Sequence, residues 1–330
     1  MNSLERLNYQ RKKINQEYIT DHYDNIVTNK DLYTKEKLIT TNLRRINNFI
    51  KACILRKYIK KNDVVLDIGC GKGGDLQKYQ KLKIKKYVGI DVSKKSIEEA
   101  IQRVKNLKPS FITQFCVKDA YNDILLFDDS TKGVGSPKLE QFDVITSQFS
   151  FHYAFFDDVS LEIAVTNISE NLKPGGFFII TVPRKQILVN RILKHKAHNS
   201  LYSITDVSPK TDNTDLWKNY NFSLVGSVND CIEYFVNFKK LREMLEIKKI
   251  YLEERNPFGS LLKEYKTTHA DLFTQMKINN PNADETDVIG LYEVIVFKKK
   301  GLSESFEEMI LNIEKYNNEN RKPKRVHFLL

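Results

Sequence analysis

Apolar side chains recur along this chain with two periods, and the switches between them delimit the elements. From Asn42 the positions Leu43, Ile46, Phe49, Ile50, Cys53 and Ile54 return at intervals of three and four, which predicts an amphipathic helix. Asp63 to Ile68 is a short apolar run ending in Gly69-Cys70-Gly71, the pattern of a buried strand that meets a tight turn. A helix from about Lys72 to Lys81 follows, then a second buried strand, Tyr87 to Ile90, which ends at Asp91. Ser96 to Leu107 reads as a helix and Phe111 to Val117 as a third strand. Phe142 to Ser147 and Phe177 to Val182 are two more strands, separated by a helix from Val159 to Leu172 and a Pro174-Gly175-Gly176 turn. Strand and helix alternating across glycine turns predict an α/β fold with a parallel, doubly wound sheet.

The pattern lapses in three places. Residues 1–40 form an extension, polar and charged to about Lys37 with scattered aromatics such as Tyr9, Tyr18 and Tyr23; it reads as partly disordered or as a late-docking helix. Residues 121–140 lose periodicity and contain Gly133-Val134-Gly135-Ser136-Pro137, as a surface insertion would. Beyond about Lys194 the alternation stops. His195 to Lys218 is polar and reads as irregular, whereas Tyr220 to Ser227 and Cys231 to Asn237 alternate as a hairpin joined by Val228-Asn229-Asp230. Phe238 to Ile247 reads as a helix and Tyr292 to Phe297 as a late strand of the main sheet. Phe306, Met309, Ile310 and Ile313 suggest one more helix before a basic tail. The expected organisation is a core at 41–193, an inserted lobe at 194–289, a last strand at 290–298 and a C-terminal helix and tail at 301–330.

Composition narrows the partners. The chain has 330 residues, 41% of them hydrophobic, enough for one large α/β domain with an inserted lobe. Its 53 basic residues exceed its 42 acidic ones, giving +11, which suits an anionic partner such as RNA or a lysine-rich, solubilising surface. Four widely spaced cysteines show no CxxC pair and no disulfide framework, so reduced thiols are expected. No run of apolar residues is long enough to span a membrane, and Met1 to Tyr18 lacks the apolar core of a signal peptide. The six histidines do not cluster at metal-ligand spacing, so no metal is expected.

The chemistry concentrates in Leu66-Asp67-Ile68-Gly69-Cys70-Gly71-Lys72-Gly73-Gly74-Asp75. Glycines after a buried strand let the backbone approach a ligand closely, and a carboxylate ending the next strand, here Asp91, can accept both hydroxyl hydrogens of a ribose. Gly69, Gly71 and Gly74 satisfy the G-x-G-x-x-G spacing of a dinucleotide site. Asp67 and Asp75 flank those glycines, however, and carboxylates there would repel a pyrophosphate while suiting the sulfonium and amino groups of S-adenosylmethionine. Asp119, after the third strand, is placed for the adenine or serves as a turn or helix-cap aspartate; the pattern allows both.

Arg45 to Lys51, Asp67 to Asp75, Ser147-Gln148-Phe149-Ser150-Phe151-His152-Tyr153-Ala154-Phe155, Cys231 to Phe235 and Gly290 to Val294 together resemble the successive motifs of the eukaryotic mRNA cap guanine-7 methyltransferases, most of all the compact fungal and microsporidian members. The likeness runs from about residue 20 to residue 298, and places a cap methyltransferase domain at 41–300. It implies a class I S-adenosylmethionine-dependent methyltransferase fold, a Rossmann-like mixed seven-stranded sheet with an inserted hairpin-containing cap-binding lobe. It implies that Lys51, Gly69, Asp91, Asp119, Gln148 and Tyr153 contact S-adenosyl-L-methionine. It implies a cap site of Asn47, Asn48, Lys72, Lys78, Arg103, His152, Glu233 and Tyr292, walled by Phe149 and Pro183.

Lys72, Lys78 and Arg103 fall on the first turns of one helix and on its neighbour, where they can face a triphosphate or remain solvated surface. Phe151 and Phe155 are expected in the core. Glu233 lies between apolar neighbours; alternation permits either a buried carboxylate gripping the guanine N–H donors or one on the hairpin's solvent face. The implied reaction is in-line displacement at the sulfonium methyl by a guanine nitrogen that carries no proton. No general base is then required, and alignment can supply roughly 7–11 kcal/mol of the barrier. Glu233 would stabilise the positive charge that develops on guanine. The alternatives are a methyltransferase for another RNA or a small molecule, and a non-catalytic, RNA-binding subunit of the same shape. Capped mRNA is the expected partner, with other capping enzymes or the RNA polymerase II machinery as further candidates. The chain is expected to be monomeric and nuclear, and Arg321-Lys322-Pro323-Lys324-Arg325 fits a nuclear signal or a solvated tail.

Overall fold

The computed structural model describes residues 17, 18, 20, 39–127, 141–209 and 211–301. The expected C-terminal helix and basic tail, most of the N-terminal extension and residues 128–140 of the insertion lie outside them.

Helix α1 (Thr41–Tyr58) follows the predicted stripe: Leu43, Ile46, Phe49, Ile50, Cys53 and Ile54 are all buried. Strand β1 (Val64–Ile68) is buried throughout, then come α2 (Leu76–Leu82), β2 (Lys86–Asp91), α3 (Lys94–Leu107) and β3 (Ile112–Val117). Strand β4 (Phe142–Gln148) runs into a 3-10 turn at Phe151–Phe156, followed by α4 (Asp158–Asn171), β5 (Leu172–Pro183) and α5 (Lys185–Leu193). Side chains cap α3 and α4 where the chain enters each helix: Ser93 accepts from the Ser96 amide, and Asp157 from the Ser160 amide. Helix α2 begins four residues later than predicted, because Gly71 and Gly73 hold positive φ values of 51° and 69° that no right-handed helix contains. The Pro174-Gly175-Gly176 turn belongs to β5, where Gly175 takes φ +80°.

Strands β6 (Tyr202–Ser208), β7 (Asn219–Leu224) and β8 (Val228–Tyr234) form a separate antiparallel sheet. Two expectations are corrected here. The hairpin turn is at 225–227, where Gly226 has φ +67°, and Val228-Asn229-Asp230 belongs to β8. The stretch expected to be irregular contains β6, hidden because Asp206 (φ +46°) interrupts its alternation at a register shift between Thr205 and Ser208.

After α6 (Phe238–Ile247), as predicted, come β9 (Ile250–Pro257), α7 (Phe258–Thr268), α8 (Ala270–Gln275), α9 (Ala283–Gly290) and β10 (Tyr292–Lys299). The main sheet has the order β3-β2-β1-β4-β5-β10-β9. Its first five strands are parallel, and β10 inserts antiparallel between β5 and β9. The span expected as one lobe thus divides: 202–234 forms the small sheet, while β9 joins the main one. The two faces bury separate cores. Val65, Tyr87 and Val144 pack against α1, α2 and α7, while Leu66, Val88 and Ile145 pack with α4 and α6. That alternation of Val65 and Leu66 explains why β1 is apolar throughout.

Candidate functional site

A cavity of about 400 Å³ opens over the carboxyl ends of β1, β2, β3 and β4, with α1 on one side and the small sheet above. In a doubly wound sheet that is where ligands bind, because the strand order reverses between β1 and β4.

Its floor is built by the glycine turn. Gly69 takes φ +69°, and a Cβ there would stand 2.2 Å from Ser150 Oγ. Gly71 (φ +51°) borders open space, and its amide donates to Asp91 Oδ2 at 2.7 Å. The Ser93 amide donates to Asp91 Oδ1 at 2.9 Å. Asp91 is therefore held by backbone at the end of β2, facing the cavity. Gly74, the third glycine of the dinucleotide spacing, meets no crowding, whereas a Cβ on Gly73 would lie 2.6 Å from Leu76. The packing requirement falls outside that fingerprint.

The flanking carboxylates, expected to suit the donor's positive groups, do not themselves line the cavity. Asp67 is buried below the floor, accepting from Tyr87 Oη at 2.9 Å and Thr146 Oγ1 at 2.7 Å. Burial, reinforced by the neighbouring Asp75 charge, pushes its carboxyl up to about 7. Asp75 is gripped by Lys51 at 2.9 Å and Lys78 at 2.5 Å. Burial opposes ionisation of Asp75, but the two ammonium groups prevail and hold it well below the usual carboxylate range.

Lys51, Gly69, Asp91, Asp119, Gln148 and Tyr153, the six residues assigned to the methyl donor, all line the cavity. Asp119 also caps its own turn, accepting from the Tyr121 amide at 2.9 Å and Asn122 Nδ2 at 2.7 Å. Gln148 Oε1 accepts from Thr181 Oγ1 at 2.7 Å.

Asn47, Asn48, Phe149, His152, Glu233 and Tyr292, from the cap-site set, line the same cavity. Glu233 is 5% exposed, which excludes the solvent-face reading. Its Oε2 accepts from Tyr220 Oη at 2.8 Å, and burial pushes its carboxyl up to about 7 against that hydrogen bond. His152 Nε2 lies 3.7 Å from Glu233 Oε1, and burial lowers the imidazole to about 3, so it is neutral. Among the described residues, neither His152 ring nitrogen has a hydrogen-bond partner, nor does Asn47 Oδ1. Phe149 takes φ +61° at the end of β4, and its ring meets Tyr292 edge-on at 5.0 Å. Buried polar atoms without partners and a phenylalanine in the left-handed region are costly, and concentrate where a ligand repays the cost.

Four of the cap-site residues are placed elsewhere. Pro183 is buried opposite Tyr292 in the β5–β10 ladder rather than at the wall. Lys72 pairs with Glu99 at 2.6 Å on the outer surface, and Arg103 is exposed on α3. Lys78 points into the interior, donating to Asn48 Oδ1 at 2.8 Å as well as to Asp75. The expected triphosphate cluster is therefore not assembled. Among the described residues, the cations at the cavity besides Lys51 are Arg44 and Lys118. Arg44 was readable as the preceding turn of the polar face that carries Asn47, Asn48 and Lys51. Tyr121, Phe156 and Phe222 also line the cavity, and no sequence motif pointed to them. Phe151 is core as expected, and Phe155 packs partly buried at its margin.

Known proteins share this architecture. A Listeria monocytogenes structure described as an S-adenosylmethionine-dependent methyltransferase superposes with TM-score 0.50 at 18% identity, covering 78% of this chain and 99% of that one, which fixes the fold. The mRNA cap guanine-N(7) methyltransferase of Schizosaccharomyces pombe is 30% identical over 321 residues, 90% of this chain and 87% of the relative. The mRNA cap guanine-N(7) methyltransferase 1 of Arabidopsis thaliana is 29% identical over 318 residues, 87% of this chain and 82% of the relative. The family model described as the mRNA (guanine-N(7))-methyltransferase domain matches residues 6–300, and the chain belongs to that family of S-adenosylmethionine-dependent enzymes.

Proposed function

We propose that the cavity aligns S-adenosylmethionine on its floor with the guanine of a 5′ GpppN cap against the small sheet. The observation that carries this reading is the buried Glu233–His152 wall, two polar groups lining the cavity that Asp91 also lines.

The residues fit the donor. Asp91 offers two oriented oxygens to ribose hydroxyls, and Lys51 offers an ammonium to a carboxylate. When bound, S-adenosylmethionine supplies an electrophilic methyl group. Glu233 then accepts from the two N–H groups of the guanine edge, and the same carboxylate opposes the positive charge the base acquires. The bound cap supplies the hydrogen-bond partners that the buried atoms of His152 and Asn47 lack. Phe149 and Tyr292, packed edge to face, fix the plane against which the base lies. No side chain is assigned as a base. Methyl transfer from labelled donor onto GpppA-capped RNA, compared with the same RNA uncapped, tests the reading; equal transfer to both would overturn it.

A nuclear site of action and association with other capping enzymes or the transcription machinery belong to the same reading. Imaging of the tagged chain and recovery of its complexes from nuclear extract test them.

A further inference from the structure

Behind the α1 side chains that face the cavity lies a buried relay of charge. Lys78 stands outside the cavity wall on the first turn of α2, its side chain only 11% exposed. Its ammonium donates to Asp75 Oδ1 at 2.5 Å and to Asn48 Oδ1 at 2.8 Å. Asp75 accepts from Lys51 Nζ at 2.9 Å through its other oxygen. Lys51 and Asn48 both line the cavity; Lys78 and Asp75 do not. Because Lys78 donates to Oδ1 of Asn48, it orients the amide and leaves both Nδ2 donors for a ligand. Two of the three ammonium donors of Lys78 are thus committed in the interior.

We propose that Lys78 is a positioning residue serving both substrates: through Asp75 it fixes the Lys51 ammonium on the donor side, and through Asn48 Oδ1 it fixes that amide as a hydrogen-bond donor on the cap side. The cap half rests on the function proposed above; the donor half rests only on the place of Lys51 in the S-adenosylmethionine site.

A phosphate contact and a positioning role separate cleanly. Lys78→Met keeps the aliphatic stem and removes the charge. Positioning predicts weaker binding of both S-adenosylhomocysteine and the GpppA dinucleotide, each by about tenfold or more, with KM for both substrates rising and the salt slope of capped-RNA binding unchanged. Unchanged donor affinity together with a slope reduced by about one would make Lys78 a phosphate contact and overturn the proposal. Two further variants decide the matter should Lys78→Met fail to fold. Asn48→Asp retains an oxygen for Lys78 but has no N–H for the cavity, so it should weaken GpppA alone. Asp75→Asn frees Lys51 and should weaken S-adenosylhomocysteine chiefly. Both variants binding both ligands like the parent would sink the relay. Failure of the parent to bind GpppA would remove the cap reading, while the S-adenosylhomocysteine titrations would still decide the donor half.

Discussion

His152 and Glu233 face each other at 3.7 Å, both almost wholly buried, without forming an ion pair. Burial pushes both toward neutrality, the imidazole down to about 3 and the carboxyl up to about 7. A carboxyl in that state ionises readily once a ligand brings N–H donors to it. Tyr220 and Cys231 beside it are held neutral by burial, which raises both groups.

Cap binding should therefore depend on pH while donor binding does not. Gripping two N–H donors requires the ionised carboxylate, so GpppA affinity should fall as pH drops below about 7, approaching tenfold per pH unit. S-adenosylhomocysteine affinity should stay flat across the range. Stability has the opposite sign. The folded-state pKa of Glu233 is raised above its ordinary 4.5, so its contribution is fully present below about 4.5 and lost as pH rises through about 7. Glu233→Gln should accordingly melt above the parent at about pH 8, by no more than about 3 kcal/mol, and level with it near pH 4.5. Calorimetric titration and thermal melts over this range check both. A cap affinity independent of pH would remove the ionisation requirement.

Asp91→Asn should weaken S-adenosylhomocysteine by about a hundredfold, since an amide keeps one acceptor and turns a donor toward hydroxyls and toward a backbone N–H. Asp91→Ala should cost more, because the Gly71 and Ser93 amides lose their common acceptor as well. Calorimetry with the folded variants decides this; near-parental affinity would refute the ribose assignment.

The two floor glycines should fail differently. Gly69→Ala places its Cβ against Ser150 in a left-handed conformation, so it should destabilise the fold by about 2 kcal/mol or more. Ser150→Gly in the same chain should return part of that loss. Gly71→Ala meets open space, so its cost to folding should be near 1 kcal/mol and its main effect a loss of donor affinity. Denaturant melts paired with titrations would expose the difference, and identical behaviour of the two variants would contradict it.

What the sequence made legible follows the range of each interaction. The α1 stripe, the β1 run and the helix from Phe238 to Ile247 are local patterns, and the structure keeps them. Asp91 was readable because a strand end after a glycine turn has one position in this topology. Lys78 was misplaced because charge and spacing do not tell which way a lysine turns. The decision rests on Asn48, which lies 30 residues away in sequence. Tyr220 as the partner of Glu233 emerges only with the β7–β8 register. Asp67 reads from its motif only as a charge flanking the glycines, and its partners Tyr87 and Thr146 arrive from neighbouring strands. Strand β9 carries Glu253, Glu254 and Arg255 on a sheet edge, and Arg255 is neutralised by Glu293 across β10 at 2.8 Å, so its polarity masks a strand.

The guanine edge itself can be probed through Glu233→Gln. The substitution keeps size and shape but removes the charge, and it replaces one acceptor by an amide N–H. Tyr220 Oη donates to one carboxylate oxygen, so the amide oxygen should settle there and leave the Nε2 donor facing the N–H groups of the base. Losing a charge-assisted bidentate contact and adding a donor–donor clash should cost on the order of 2–5 kcal/mol in cap recognition. Part of that loss belongs in the chemical step, because guanine becomes cationic as the methyl arrives; turnover at saturating cap should fall by about a hundredfold or more. S-adenosylhomocysteine affinity should be unaltered, since Glu233 stands on β8 of the small sheet and Asp91 at the end of β2 in the main one. Inosine-capped RNA lacks the exocyclic amine, so the parent should methylate it poorly, and the variant should lose less on it than on guanosine-capped RNA. Rates for two enzymes and two caps close a double-mutant cycle. A coupling of 1 kcal/mol or more, on the order expected of a direct charge-assisted contact, places Glu233 on the exocyclic amine. Additive effects would mean that the carboxylate acts from elsewhere in the wall, and the orientation proposed for guanine would have to be reversed.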